Sequence, residues 1–546
     1  MRIGLSVLYA GRVEFPFGNE DDPMMWNILS KPFLLAILLF LLGRSVSLAD
    51  ECQLFAATGN VTQESITILA KVRDLYSHKE QRIWYSPRAT HDPGDSIHFR
   101  KISIPQCSLT YKFIATNSYV KDQTTGYGIN EYGLAMISHD MDSWDDDSLG
   151  TEYFYDQDYV ALALARCRTT AEAIDLFEEL IIPQGINAET YLMADSSGLW
   201  LFETSGHNFV AKPIGDDVVS SKSKRYNIRT EWSDPGNRYN PDILENAAAH
   251  GCDTTNLDFA VCFSNLPPGV TDKDLAALKD SGNITVADMR ELLRDKAYSA
   301  TASACVIPIR PGKDLRFFGL MWDSRADPEY GNVYLPFWMA ISDSALPYHY
   351  TSWPPEDGDC AWKKFSQITT DSILYTPAEP IWQAWQVGLD TSSAAVETIM
   401  ENYLCVGDTV GMRSYIDGYL YAVLDSAYDQ AVDIIEKAGV PLAVADLSAG
   451  KAGENLMLQW SAVTVDRLGN PVTVDGYYVF REKDILSKSG VQPFDTVAAC
   501  WYLDTTGVIG DPIKVYRYWL AAVAGWRQSQ FSEQVGAFDL SLTAEK

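Results

Sequence analysis

The chain has 546 residues, of which 47% are hydrophobic, so it can bury large cores, and the usual size of domains predicts about two to four of them. Its formal net charge of −30 repels nucleic acid and anionic lipid. Because the sequence contains no basic patch and no interleaving of aromatic and basic residues, polyanion binding is excluded as a working hypothesis.

The first segment with a readable pattern is a secretion signal. Lys31 precedes the apolar run 33–42, and Ser47-Leu48-Ala49 follows with the small residues of a cleavage site. The run is too short to span a bilayer, which favours cleavage over an uncleaved anchor. We therefore expect a signal peptide over residues 1–49 and an extracytoplasmic protein that is secreted, periplasmic or held at the cell surface. Residues 1–23 carry no such pattern, and an upstream mis-start is one explanation for them.

Cys52 lies three residues after this signal. If processing made it the first residue, its own α-amine, which titrates near pH 8, would be available to take the thiol proton. Cleavage after Ala49 leaves Asp50-Glu51 as a short propeptide that a second trimming step must remove. A lipid-anchored cysteine is the weaker reading, because Glu51 is not the small residue that such a site requires. The placement predicts hydrolysis by an N-terminal nucleophile.

The next segments alternate between strand and helix patterns. Strands are predicted at 65–70 and 109–115, and two more flank a glycine-rich turn within 126–137. Helical spacing of apolar residues covers Tyr159 to Ile181, with a second helix start at Thr169, where Glu172 completes a capping-box pattern. A hairpin is predicted from 189–194 and 199–204. This order predicts a layered architecture of helices and sheets.

The last hundred residues have a different pattern. Leu456, Leu458 and Trp460 alternate with other side chains, and two further strands are predicted at 476–481 and 516–523. The buried tryptophan and the tyrosine-rich strands resemble a fibronectin type III module. We place its boundary near Gly439-Val440-Pro441, so that 441–546 forms an all-β accessory sandwich.

Five blocks between Cys52 and about Tyr350 occur in a recognisable order. They are Cys52 with Ala70-Lys-Val-Arg-Asp74, Gly128–Ala135, Leu162–Arg166 with Thr170–Ile174, Leu192–Asp195 with Trp200–Thr204 and Phe209–Pro213, and Asn332–Trp338. Together they resemble the dipeptidase family of N-terminal nucleophile (Ntn) hydrolases, which is related to secernins and more distantly to bile-salt hydrolases and penicillin V acylases. The resemblance implies an α+β fold, a four-layer αββα sandwich over 52–440. It also implies a cysteine dipeptidase that acts on small peptides without a cofactor.

The resemblance also implies roles for individual residues. Cys52 would be the nucleophile, Asp74 would hold and orient the freed amine, and Lys71 would favour the thiolate. Val72 departs from the family, which usually carries asparagine there. A second family asparagine donates into the oxyanion hole, and alignment on Ile228 places Lys224 at its position, with Asn227 as the alternative if the register slips.

Asp140 matches a position where dipeptidase relatives carry glutamate and acylases carry an oxyanion asparagine. An ionised carboxylate cannot stabilise an oxyanion, so we assign Asp140 to the substrate's ammonium group, and Asn130 to substrate binding with it. The acidic residues that follow, Asp142, Asp145, Asp146 and Asp147, fit no calcium-binding pattern, and a solvated acidic turn is favoured.

The remaining signals are weak. Among nine cysteines, one nucleophile and eight others permit full pairing, but only Cys252 and Cys262 are close enough in sequence to suggest a disulfide, with free buried thiols as the alternative. No metal or triad motif is present, and His139 is interpreted as structural. Two other functions stay open: an N-acyl amidase or acyltransferase, and a catalytically dead binding protein, for which Val72 and Lys224 are the argument.

Overall fold

Two large antiparallel sheets form the centre of the structure, a computed structural model that describes residues 52–75, 80–118, 125–264, 266–298, 300–329, 332–342, 345–351, 360–482, 492–506 and 516–536. The strands are β1 (Gln53–Thr58), β2 (Thr67–Asp74), β3 (Gln81–Ser86), β4 (Ala89–Thr90), β5 (Ser96–His98), β6 (Ser103–Pro105), β7 (Leu109–Thr110), β8 (Phe113–Ser118), β9 (Thr125–Asn130), β10 (Ala135–Asp140), β11 (Ile186–Asp195), β12 (Gly198–Gly206), β13 (Asn208–Ile214), β14 (Val218–Lys222), β15 (Arg238–Tyr239), β16 (Thr301–Ile309), β17 (Leu320–Arg325), β18 (Tyr334–Trp338), β19 (Ser448–Ala452), β20 (Asn455–Gln459), β21 (Gly476–Glu482), β22 (Asp495–Val497), β23 (Trp501–Asp504), β24 (Arg517–Ala524), β25 (Arg527–Gln528) and β26 (Val535–Gly536).

The helices cover the outer faces of these sheets. They are α1 (Asp156–Arg166), α2 (Thr170–Leu176), α3 (Ile243–His250), α4 (Phe259–Phe263), α5 (Lys273–Ser281), α6 (Val286–Lys296), α7 (Leu315–Phe318), α8 (Tyr348–Thr351), α9 (Ala361–Thr370), α10 (Ser372–Cys405) and α11 (Thr409–Lys437), with a π-helical turn at Phe177–Ile181 and short 3₁₀ turns at Gly59–Val61, Trp144–Ser148 and Thr230–Ser233.

The first sheet has six strands in the order β14-β1-β2-β16-β17-β18, and the second has eight in the order β15-β13-β12-β11-β10-β9-β8-β3. The sheets pack face to face, with β2 against β10 and β11, and β17 against β9. Helix α1 covers β9 and β10, while α6 covers β2 and β16 on the opposite side. The layers therefore run helix, sheet, sheet, helix, and the predicted mixture of helices and sheets is confirmed.

Strand β2 lies in the middle of the first sheet, and all eight of its residues are buried. A strand covered on both faces is normally apolar throughout, as Ile68, Leu69 and Ala70 are. Its second half instead contains Lys71, Arg73 and Asp74, which are residue types that are almost never fully buried without partners. This end of β2 is therefore an exception within the core.

The local predictions on helices and hairpins agree with the structure. Thr169 accepts a hydrogen bond from Glu172 N at 3.2 Å and caps α2, so the predicted second helix start is confirmed. The carboxylate of Glu172 reaches Arg168 N rather than the backbone of Thr169. Strands β11 and β12 form the predicted hairpin, with Asp195 paired to Gly198 across the turn.

Two long helices were not predicted from the sequence. Helices α10 and α11 pack against each other, and both contact β18 at the edge of the first sheet. They bury one face of each helix, including Trp382, Met400 and Leu424, in the same core as the sheets. The last part of the 52–440 segment, from residue 372 onward, therefore consists largely of this helix pair.

The described residues after α11 contain the strands β19 to β26. A three-stranded sheet, β19-β20-β23, and a five-stranded sheet around β21 and β24 enclose a separate core that contains the predicted Leu456, Leu458 and Trp460. Gly439 N donates to Asp466 Oδ2 at 2.8 Å, which ties the end of the helical region to these strands. The division of the chain at about residue 440 stays a prediction.

One disulfide joins Cys252 to Cys262, as the sequence suggested. The other seven cysteines are free thiols, so full pairing is not realised. None of the helices in the described ranges has the length and apolar content that a bilayer crossing requires. The predicted signal over 1–49 and the predicted propeptide 50–51 lie outside the described residues.

Candidate active site

A cleft of about 270 Å³ opens where β1 begins and where β2 and β10 end. Strands β1 and β2 are antiparallel, with Gln53 opposite Val72, so the residue before β1 lies beside the last residues of β2. This pairing brings Cys52 to Asp74. The residues that line the cleft are Cys52, Lys71, Arg73, Asp74, Leu75, Ser138, His139, Asp140, Gln157, Glu189 and Lys224.

The Cys52 thiol lies at the floor of this cleft and is 8% exposed. Its Sγ accepts a hydrogen bond from Asp74 N at 3.3 Å and lies 3.5 Å from Asp74 O. Burial raises the pKa of the thiol to about 11, while the neighbouring Lys71 opposes this rise. Cys52 is therefore a protonated thiol at neutral pH as long as its nitrogen is part of a peptide bond.

Lys71 is buried beside the thiol. Its Nζ donates to Gly126 O at 3.2 Å and also to Ser138 O, so backbone oxygens of β9 and β10 fix the position of the ammonium group. A Cβ on Gly126 would lie 3.0 Å from this Nζ, so a larger residue there would press on the ammonium group. Burial lowers the pKa of Lys71, and the nearby Cys52 thiolate would raise it.

Asp74 is positioned by a neighbour that the sequence did not reveal. Its Oδ1 accepts a hydrogen bond from Thr301 Oγ1 at 2.7 Å, and Thr301 lies opposite Asp74 on β16. The carboxylate is buried in the cleft wall next to the backbone that contacts Cys52 Sγ. Asp74 is therefore held in a fixed orientation within a few ångströms of Cys52.

Asp140 and Lys224 meet at another part of the cleft lining. Lys224 N donates to Asp140 O at 3.1 Å, and Ser223 Oγ lies 3.1 Å from Asp140 Oδ1. Ser223 N also donates to Cys52 O at 3.0 Å. Asp140 is exposed at the rim, so its carboxylate faces both the cleft and the solvent.

The backbone places Lys224, and not Asn227, at the cleft. Residues Lys222–Arg225 form a tight turn closed by Arg225 N donating to Lys222 O at 3.2 Å. Lys224 has a φ of +70°, a conformation that non-glycine residues rarely adopt and that often marks functional sites. Asn227 does not line the cleft, and its backbone N–H points instead to Glu203. Val72 is fully buried in the core and does not line the cleft either.

The assignment of Asn130 to substrate binding is wrong. Asn130 is completely buried and lies outside the cleft lining. Its Nδ2 donates to Leu164 O and Cys167 O, and its Oδ1 accepts from the N–H groups of Tyr132 and Leu134. All the hydrogen-bonding capacity of the amide is used to fix the β9–β10 turn against α1.

The acidic run after Asp140 is only in part the solvated turn that we expected. Asp145 is buried, and its Oδ2 accepts from Asn208 Nδ2 at 2.8 Å and from His207 N at 3.2 Å. Asp146 Oδ1 accepts from Ala188 N at 2.8 Å, while Asp142 and Asp147 are exposed. In the described part of the chain, no group of His, Cys, Asp and Glu side chains is arranged to hold a metal ion.

Six further lining residues were not assigned from the sequence as site residues: Arg73, Leu75, Ser138, His139, Gln157 and Glu189. Arg73 Nη1 donates to Gln81 Oε1, and its Nη2 donates to Gln157 Oε1. Glu189 lies directly opposite Asp140 in the β10–β11 register. His139 Nε2 lies 2.8 Å from Ser221 Oγ, and burial lowers the pKa of the imidazole to about 3, so the ring is neutral. The period-2 alternation of the predicted β11 strand was the one signal that could have placed Glu189 beside Asp140.

Comparison with known proteins adds the family. Residues 63–265 match the model of peptidase family C69. Over this segment the chain resembles peptidase family C69, as predicted. The segment contains Lys71, Asp74, Asp140 and Lys224 and begins after Cys52. It supports a peptidase-type hydrolase.

Solved structures also match parts of the chain. A penicillin V acylase from Agrobacterium tumefaciens is 16% identical over 53% of this chain and 86% of that chain, with a TM-score of 0.33. A mutant of conjugated bile acid hydrolase from Clostridium perfringens is 11% identical over 53% of this chain and 92% of that chain, with a TM-score of 0.33. A Fn3-like protein from Clostridium thermocellum is 22% identical over 18% of this chain and 91% of that chain, with a TM-score of 0.14.

Proposed function

We propose that this protein is an exported cysteine dipeptidase of the N-terminal nucleophile type, with Cys52 as its nucleophile. The observation that carries the proposal is the position of the Cys52 thiol, which lies in one small cleft with Lys71, Asp74 and Asp140 beside a segment that matches peptidase family C69. The buried cation favours the thiolate, and the buried carboxylate is placed to hold the ammonium group that a free amino terminus of Cys52 would carry.

The proposed mechanism begins with removal of the residues before Cys52. In the full chain the nitrogen of Cys52 is a peptide nitrogen and cannot accept a proton. Once it is a free amine, it takes the thiol proton, and Sγ attacks the scissile carbonyl carbon to form a C–S bond. Asp74, fixed by Thr301, holds the resulting ammonium group, which then protonates the leaving nitrogen. Water hydrolyses the thioester and restores the thiol.

Electrostatics agree with this need for processing. A thiol with a pKa of about 11 is ionised to only about one part in a thousand at pH 8, so the unprocessed chain holds very little thiolate. A new ammonium group beside Sγ, together with Lys71, would favour the thiolate. The side chain and the backbone of Lys224, which lines the same cleft, are the candidates to stabilise the tetrahedral oxyanion.

The size and charge of the cleft favour small peptides with a free amino terminus. A volume of about 270 Å³ is below the range of about 300 to 1,000 Å³ that is usual for drug-sized ligands. Asp140 faces this space and is our candidate for binding the substrate ammonium group through a charge-assisted hydrogen bond. Glu189, opposite it, adds a second carboxylate to the same wall.

Two parts of the proposal concern the ends of the chain. The apolar run 33–42 and the small residues Ser47 and Ala49 support export with removal of a signal peptide. The strands of 448–536, with their Trp460 core, support a fibronectin type III-like accessory module. Among its described residues, none belongs to the cleft lining.

The test of this function is a comparison of cysteine variants on free dipeptides. We expect Cys52→Ser to lose nearly all hydrolysis, because a hydroxyl ionises far less readily than a thiol. Cys500→Ser, which changes another free cysteine in the C-terminal strands, is the matched control and keeps full activity. Equal activity of the Cys52→Ser variant and the wild type would refute the proposed nucleophile.

A further inference from the structure

A buried carboxylate lies behind the loop that carries Ser223 and Lys224. Glu203 is on β12, is 0% exposed and does not line the cleft. Its Oε1 accepts a hydrogen bond from Asn227 N at 2.7 Å, and its Oε2 accepts one from Ile228 N at 3.0 Å. One side chain therefore binds two consecutive N–H groups of the loop.

This arrangement is costly for folding. Burial raises the pKa of Glu203 to about 8, and the two N–H bonds act in the opposite direction because they favour the charged form. An apolar side chain on the same strand would avoid that cost, as Leu201 and Phe202 do. A carboxyl group kept at this position therefore calls for a reason other than packing.

The other end of the loop contacts the nucleophile. Ser223 N donates to Cys52 O at 3.0 Å, and Lys224 N donates to Asp140 O at 3.1 Å. Four residues further on, Ile228 N is bound to Glu203. The segment 223–228, here called the Lys224 loop, is thus attached to the cleft at one end and to Glu203 at the other.

The turn inside this loop needs such an anchor. Lys224 has the left-handed φ of +70°, which a non-glycine residue keeps only when the surrounding structure imposes it. Besides the Glu203 bonds, Tyr226 OH donates to Thr204 O on the same strand, one residue after Glu203. Strand β12 is therefore the rigid support on which the Lys224 loop is mounted.

We propose that Glu203 is a positioning residue that holds the Lys224 loop so that Ser223 and Lys224 stay aligned with Cys52. The proposal rests on the proposed function, in which Lys224 faces the developing oxyanion. Loss of the anchor would shift the loop without removing any group from the cleft. A displacement of about 1 Å in a group that contacts the transition state can cost about a hundredfold in rate.

The experiment compares two Glu203 variants by steady-state kinetics on a free dipeptide. Glu203→Met keeps the length of the side chain and removes both acceptor oxygens, so we expect kcat to fall by about 10- to 100-fold while KM changes by less than about threefold. Glu203→Gln keeps one acceptor oxygen and should recover part of the loss. If Glu203→Met does not fold, the same comparison is made with Glu203→Gln and Glu203→Asp.

A matched control separates positioning from general stability. Asp195 is also a buried carboxylate at the end of a neighbouring strand, and it accepts N–H bonds from Thr170 and Ser197, both at 2.6 Å. Asp195→Leu and Asp195→Asn should lower the urea midpoint and leave kcat unchanged. Glu203→Met combined with Lys224→Gly should lose less than the product of the two single losses, because both act through the same loop.

Each outcome decides between the alternatives. Unchanged kcat in the Glu203 variants, losses equal to those of the Asp195 variants, or a fully multiplicative double variant would overturn the positioning role. Cys52→Ala is run in the same assay. Activity that survives Cys52→Ala refutes the proposed function itself, whereas activity that depends on Cys52 but not on Glu203 refutes only this inference.

Discussion

Replacement of Lys224 is expected to separate activity from stability. Lys224 occupies the third position of the Lys222–Arg225 turn with a φ of +70° and lines the same cleft as Cys52. A side chain there carries a conformational cost that glycine does not have. Three substitutions, to glycine, alanine and asparagine, therefore change the oxyanion donor and the backbone cost in different combinations.

The expected changes in activity follow from the number of donors. Lys224→Gly and Lys224→Ala both remove the side-chain donor and should lower kcat by about a hundredfold, the usual loss for one oxyanion donor, or ~2.7 kcal/mol of transition-state stabilisation. Lys224→Asn restores an amide that can donate, and asparagine tolerates the left-handed region well. Its kcat should equal or exceed that of the wild type.

The expected changes in stability follow from the backbone. Left-handed φ costs a non-glycine residue about 1 kcal/mol, so Lys224→Gly should raise the free energy of unfolding by about that amount, while Lys224→Ala should leave it nearly unchanged. Urea denaturation and steady-state kinetics on the same preparations measure both quantities. The glycine variant should thus be more stable and less active than the wild type.

Two results would refute this reasoning. If the alanine and glycine variants keep the wild-type kcat, the side chain of Lys224 does not stabilise the oxyanion, and backbone N–H groups of the cleft must do so. If the glycine variant gains no stability, the turn is not strained at Lys224.

The remaining predictions concern specificity, acid stability and the disulfide. The wild type should cleave free dipeptides about tenfold better than their N-acetylated forms, which is the lower end expected for a charge-assisted hydrogen bond at an exposed carboxylate. Asp140→Asn should remove this preference, and Asp147→Asn should keep it. Faster cleavage of the N-acetylated forms would favour the amidase alternative. The folded pKa of His139, about 3, lies below its unfolded value of 6.5, so the unfolded state binds the extra proton and stability is lost as the pH falls from 6.5 towards 3. His139→Gln should flatten that decline in pH-dependent urea denaturation, and parallel curves would contradict it. Replacing both Cys252 and Cys262 opens a loop with a sequence separation of 10 and should lower the free energy of unfolding by about 2 to 3 kcal/mol. An unchanged urea midpoint would show that the disulfide adds no stability.

The strands and the hairpin could be predicted because their patterns are local. The alternation of residues around the β11–β12 turn and the capping residues of α2 depend only on neighbours in sequence. Helices α10 and α11 were missed, although Asp371 and Asp408 cap their first turns, because their apolar residues are spread over long segments. They pack mainly against each other and against α9, and less against β18, and the sequence does not display these tertiary contacts.

The site was predicted in part. Cys52, Lys71, Asp74, Asp140 and Lys224 were named from the family resemblance, and all five line one cleft. Asn130 also lies in a family motif, yet its side-chain amide makes its hydrogen bonds to the β9–β10 turn and to α1. A motif shows that a residue matters and does not show whether it serves the fold or the chemistry.

The residues that were missed depend on tertiary contacts. Thr301 is more than two hundred positions from Asp74 and reaches it only because β16 pairs with β2. The buried Asp145 belongs to a charge run that is usually solvated, and only the contacts with His207 and Asn208 show otherwise.

The central claim, that the free α-amine of Cys52 is the catalytic base, is tested most directly by the amino terminus of the active protein. Intact-mass measurement and N-terminal sequencing are combined with dipeptide hydrolysis on the same purified fractions. We predict that every active fraction begins at Cys52 and that fractions beginning at Met1 or Asp50 are inactive, because their Cys52 nitrogen is a peptide nitrogen. Full activity in a fraction that begins at Met1 or Asp50 would contradict the account.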